Sequence, residues 1–128
     1  MVAAVRELVE PMALPALVHC AAGKDRTGLL VAVLLAALRV PSKTIVDDYV
    51  LSRTCLGQEY LDESRALVAQ DGRLWEEVAS MFDTPPQRMQ LALDYLEDRW
   101  GGAERYLLDH GLAVHELDAL REALTTSV

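Results

Sequence analysis

The sequence predicts a predominantly α-helical chain in which one short strand leads into a glycine-containing loop. Three observations carry this: apolar residues recur at helical spacing over most of the length, only Ala16–His19 reads as an extended apolar stretch, and proline and glycine stand where the periodic segments end. At 128 residues, 52% of them hydrophobic, the chain is long enough for one compact domain, residues 1–128, and too short for two ordinary ones.

Val2–Val9 has helical apolar spacing, and Pro11 and Pro15 break any continuation, which leaves Ala16–His19 as the strand candidate. From Thr27 the pattern is helical to about Val40 and is stopped near Pro41; Ser42 then suits the N-cap of a helix from Lys43 to about Thr54. Further helices are expected at about Gln58–Gln70, Leu74–Met81 and Pro86–Trp100, the last with Met89, Leu93, Leu96 and Trp100 on one face. Proline is acceptable in its first turn, where an N–H would lack a partner anyway. Gly101-Gly102 separates it from a helix at about Ala103–Asp109, Gly111 resembles a stop, and a last helix runs from about His115 to Leu124.

Two features of this layout ask for neighbours. A lone strand leaves backbone donors and acceptors unpaired on both edges. The run Leu29–Leu38 is apolar all round, so it must be covered on every side or else drive self-association. Its ten residues are about half of the roughly 20 that span a bilayer, so it reads as a buried helix.

The net charge of −8 argues against a nucleic-acid or anionic-membrane partner, because the long-range field repels polyanions. Cys20 and Cys55 have no CxxC or Cys/His spacing, so neither a disulfide framework nor a zinc site is suggested and no cofactor is expected. Arg6, Glu7 and Glu10 interrupt the apolar positions at the front, so no signal peptide is read. A reducing, cytoplasmic setting is expected, since a reactive thiol must stay reduced.

The chemistry concentrates in His19-Cys20-Ala21-Ala22-Gly23-Lys24-Asp25-Arg26-Thr27-Gly28. Five residues between Cys20 and Arg26 can curl into a cradle whose backbone N–H groups, from Ala21 to Gly28, converge on a tetrahedral anion at a helix N-terminus. The same field favours the thiolate of Cys20, a nucleophile able to form a phosphocysteine. Arg26 offers a planar fork to two phosphate oxygens, which lysine could not. Gly23 and Gly28 permit backbone geometry and close approach that a Cβ would hinder. The Thr27 hydroxyl is placed to bond the Cys20 sulfur, and His19 to orient the loop. A nucleotide-binding reading of Gly23-Lys24 fails because Asp25 stands where Ser or Thr should bind magnesium.

This segment resembles the cysteine-dependent protein tyrosine phosphatase superfamily, and within it the bacterial tyrosine/serine phosphatases whose loop reads HCxAGKDRTG. The resemblance continues in Asp47-Asp48-Tyr49-Val50-Leu51-Ser52 and in Gly101–Leu108, and so covers most of the chain. It implies an α/β phosphatase fragment, predominantly α-helical with one short strand leading into the phosphate-binding loop, corresponding to the C-terminal half of the domain. The implied reaction is metal-free hydrolysis of phosphotyrosine, with phosphoserine, phosphothreonine or phosphoinositides as further substrates. Family domains carry most of their sheet and an aspartate general acid ahead of the loop, whereas eighteen residues precede His19 here. Asp25 is therefore the candidate acid/base, and the alternative is a non-catalytic remnant that binds phosphate or self-associates.

Of the other residues, Lys24 either recruits acidic substrates or is a solvated loop charge. Cys55 reads as a helix core residue, with reversible pairing to Cys20 as the alternative. Tyr49 suits capping and packing with Asp47 and Asp48 solvated, and His110 suits a helix C-terminus.

Overall fold

The apolar run after the loop becomes the centre of the molecule. The computed structural model describes residues 1–10 and 12–125, so the predicted break at Pro11 lies outside the described residues. Seven α-helices follow in order among them: α1 (Val2–Glu7), α2 (Asp25–Ala37), α3 (Ser42–Gln70), α4 (Trp75–Val78, continued by a 3-10 turn at Ala79–Phe82), α5 (Pro86–Trp100), α6 (Ala103–Asp109) and α7 (Val114–Leu124).

Two clusters cover α2 from opposite sides. Leu30, Val33, Leu34 and Ala37 of α2 pack with Val5 of α1, Leu96 of α5, Leu107 of α6, and Leu117 and Leu120 of α7. Ala32 faces Ile45, Val46 and Tyr49 of α3 and Met89 and Leu93 of α5. The chain itself thus supplies most of the cover that an all-round apolar helix needs. Leu29 remains 37% exposed.

The helix ends follow the local signals. Arg39 closes α2 in the left-handed region at φ 63, with the Val40 N–H on the Leu35 carbonyl at 2.9 Å, a Schellman arrangement made without glycine just before Pro41. Gly101 (φ 74) closes α5 in the same way, with the Gly102 N–H on the Leu96 carbonyl. His110 is the C-cap of α6, with Nδ1 2.8 Å from the Tyr106 carbonyl. Glu116 accepts the Ala113 N–H at 2.7 Å and Arg6 Nε at 2.8 Å, so one carboxylate starts α7 and ties α1 to it.

Two expectations are corrected. The strand does not form: Ala16–His19 is irregular backbone, with Leu17 89% exposed, because the described residues contain no second strand to pair with it. The two helices expected either side of residues 55–57 are the two arms of α3, which meet at a kink where Gly57 leaves helical geometry (φ 74, ψ −174). Cys55 is exposed on α3 rather than in a core.

Candidate active site

The loop turns from irregular backbone at Cys20 into α2, and Gly23 takes φ +64, a conformation that side-chain-bearing residues rarely adopt. Gly28 serves a different need: a Cβ there would lie 2.8 Å from Tyr49 Cδ2, so its absence lets α2 and α3 approach closely. The half-buried Cys20 sits where successive amides converge. The Thr27 hydroxyl and then the Thr27 amide, helped by the Lys24 and Gly23 amides, hold its thiol down at about 6 against the opposing effect of burial. The Thr27 Oγ1 is buried and has no hydrogen-bond partner of its own, which leaves it free to turn toward the sulfur. At neutral pH Cys20 is therefore mostly thiolate.

Arg26 is exposed in the first turn of α2. Ala21 is exposed and Ala22 half-buried, and His19 Nδ1 lies 3.3 Å from the Cys20 carbonyl on the exposed side of the loop.

Lys24 departs from both of its sequence readings. Its side chain is buried at 2% exposure, and its ammonium donates to the carbonyls of Met81 at 2.7 Å and Asp83 at 3.1 Å and pairs with Asp25 at 3.0 Å. A buried ammonium needs such partners, and with its donors spent on them Lys24 presents no charge to a substrate. Only its backbone amide faces the sulfur.

Asp25 is half-exposed and held from three sides, by Lys24, by the Tyr49 hydroxyl donating at 3.1 Å and by Arg88 Nη1 at 3.4 Å. Partial burial pushes its carboxyl up, but the Lys24 ammonium, the Tyr49 hydroxyl and the Arg88 guanidinium outweigh this and keep it below the usual carboxylate range. Tyr49, 4% exposed, thus has a polar task beyond packing; burial pushes its phenol up. Asp47 and Asp48 are exposed.

Arg88 is the residue that sequence reading missed. It stands in the first turn of α5, where a cation opposes the helix dipole, and that misplacement was the available signal that it answers to something outside its helix. Beside the loop, Gly23, Thr27 and Gly28 share a cleft of about 380 Å³ with Tyr49, Ser52 and Cys55 of α3. Among the described residues, no group of three or more His, Cys, Asp or Glu side chains could hold a metal, and no helix is long and apolar enough to cross a membrane.

A sequence model of the tyrosine phosphatase family matches residues 1–126. The chain belongs to the tyrosine phosphatase family. It is 32% identical over 117 residues to a tyrosine-protein phosphatase of Nostoc commune, covering 84% of this chain and 38% of the relative. It is also 28% identical over 120 residues to the triple specificity protein phosphatase PtpB of Mycobacterium tuberculosis, covering 86% of this chain and 44% of that protein. The aligned part of this family member therefore covers less than half the length of either curated relative. No solved structure matches it.

Proposed function

We propose that the chain carries out phosphate monoester hydrolysis on phosphoproteins, phosphotyrosine foremost, through a phosphocysteine intermediate at Cys20. The observation that carries this is the thiol held at about 6 by the Thr27 hydroxyl and the loop amides, since those N–H groups are also the donors that would cradle a phosphate.

The thiolate attacks phosphorus, the P–O bond to the substrate breaks, and the leaving oxygen departs as an oxyanion that takes its proton from solvent. Arg26 grips two non-bridging oxygens and gains as charge builds on them in the transition state. Water then attacks the phosphocysteine, the S–P bond breaks, and thiolate and phosphate are released. Asp25 handles the proton; as a carboxylate it suits the second step, accepting the proton of the attacking water. A phenol is a better leaving group than an aliphatic alcohol, so aryl phosphates need the least acid help. Burial of the Lys24 ammonium leaves Arg26 as the exposed cation of the loop, which favours phosphoproteins over the more highly charged phosphoinositides. A reducing compartment such as the cytoplasm suits the thiol.

A second reading, a phosphate-binding or self-associating module without turnover, draws support from an apolar cleft of about 220 Å³ where Met1 and Tyr106 meet Leu29, Val33, Tyr95 and Trp100. The deciding experiment is hydrolysis of an aryl phosphate across pH by the chain, by Cys20→Ser and by Asp25→Asn, with orthovanadate as competitor. Turnover should fall to background in Cys20→Ser, and Asp25→Asn should alter the pH–rate profile. Turnover that survives Cys20→Ser would overturn the mechanism, an unaltered profile would remove Asp25 from it, and a folded, vanadate-binding but inactive chain would select the second reading.

A further inference from the structure

The buried lysine and the captive aspartate share a third partner that nothing in the loop motif accounts for. Arg88 Nη2 donates to the Ser80 carbonyl at 2.9 Å, while Nη1 donates to the Asp83 carbonyl at 2.9 Å and to Asp25 Oδ1 at 3.4 Å. Lys24 donates to the same Asp83 carbonyl and pairs with the same carboxylate. Two cations from different elements therefore bracket one carbonyl and one carboxylate. We propose that Arg88 is a positioning residue for the phosphate loop, holding the Asp25 carboxylate and the Ser80–Asp83 backbone together as one unit at the start of α2.

Three considerations carry this. The first turn of α5 offers a cation no help, so the guanidinium is held there by its outside partners. The task suits a planar fork: two separate nitrogens reach Ser80 and Asp83 at once, whereas an ammonium on a similar stem is a single point. The donors converge from three elements, with Lys24 on the loop, Tyr49 on α3 and Arg88 on α5 all donating to Asp25. The Asp83 carboxylate is turned to the Thr84 N–H at 2.8 Å, and the Thr84 hydroxyl reaches the Val50 carbonyl of α3 at 3.2 Å. The turn that Arg88 grips is thus itself fastened to the body. The functional consequence rests on the proposed proton-handling role of Asp25, whose carboxylate must point at the attacking water.

The test uses Arg88→Met and Arg88→Lys in the full chain. The readouts are the Asp25 carboxyl titration by 13C NMR, amide exchange at residues 80–84, and kcat and KM for an aryl phosphate. In Arg88→Met the Asp25 midpoint should rise by about half a unit to one unit, the Asp–Arg effect reduced for solvent exposure. Exchange should quicken, and kcat should fall about tenfold with KM little changed, as for a lost proton-transfer alignment. Arg88→Lys should restore the midpoint but not the slow exchange, because an ammonium lacks the rigid fork in which separate nitrogens reach the Asp83 and Ser80 carbonyls. A folded Arg88→Met with unmoved midpoint, exchange and kcat overturns the proposal. Should Arg88→Met fail to fold, Arg88→Lys with wild-type exchange overturns it equally. If the wild type lacks Cys20-dependent turnover, the proposed function falls, while the titration and exchange still decide the role of Arg88.

Discussion

The two flanks of Cys20 are built on different terms. Downstream, Lys24 is 2% exposed with its ammonium spent on backbone carbonyls, Asp25 is held from three sides, and Gly28 lies against Tyr49. Upstream, Met12 is 98% and Leu17 89% exposed, and Ala16–His19 joins no regular element. The downstream flank is held by side chains that the chain itself provides, whereas an extended segment becomes a strand only when neighbouring strands accept its backbone hydrogen bonds. Substitutions on either side of Cys20 should therefore have unequal effects on stability.

Of the substitutions beside Cys20, the largest loss is expected at Lys24→Met. The apolar stem is conserved in length, so the change removes chiefly the ammonium and leaves the Met81 and Asp83 carbonyls without their donor. Losing a hydrogen bond from a charged donor costs about 1.5–3 kcal/mol, and Arg88 still serves Asp83, so a loss of about 2–3 kcal/mol is expected from the urea midpoint. A midpoint within experimental error of wild type would show that the lysine is not the fastening it resembles.

That lysine also marks where sequence reading stops. Cys20, Arg26, Gly23 and Gly28 could be singled out as candidates because a five-residue spacing with two glycines is a local pattern that suits a phosphate cradle. The helices were legible because their periodicity and stops lie within each segment, down to the stripe of Met89, Leu93 and Leu96, all buried in α5. The fate of Lys24 was not, since its partners are main-chain carbonyls 57 and 59 positions away, and a carbonyl has no residue-type signature. Arg88 escaped for the same reason. The expected break between Thr54 and Gln58 was legible because it is local: Gly57 leaves helical geometry there and the second arm of α3 starts beyond it. The strand failed because pairing is a property of two segments, and only one was in view.

A smaller effect, on reactivity rather than stability, is expected at Thr27→Ala. The Thr27 hydroxyl is the foremost influence holding the Cys20 thiol at about 6, while the Thr27, Lys24 and Gly23 amides remain after the substitution. In a Cys55→Ser background, the pH dependence of iodoacetamide alkylation should show a midpoint near 6 in the parent and about one unit higher in Thr27→Ala, as for loss of one hydrogen bond to the charged form. The sign follows from a folded value below the ordinary thiol value of 9.0: thiolate stabilisation is fully present above about 9 and is lost as pH falls through about 6. Thr27→Ala should accordingly narrow that window from its acid end. An unmoved midpoint would assign the lowered thiol to the amides alone.

The smallest effect is expected upstream, at Leu17→Ser. With the side chain 89% exposed, little apolar area is returned to water, and the urea midpoint should correspond to a change within about 0.5 kcal/mol. Leu107→Ala, at a fully buried position in α6, should cost about 2–5 kcal/mol in the same measurement, which fixes the scale against which the flank is judged. A loss above about 1 kcal/mol at Leu17 would exceed what an isolated surface substitution costs. It would mean that Leu17 is covered in solution, by the body of the chain or by a second copy, and repeating the measurement at tenfold lower protein concentration separates the two, because only a covering copy is lost on dilution.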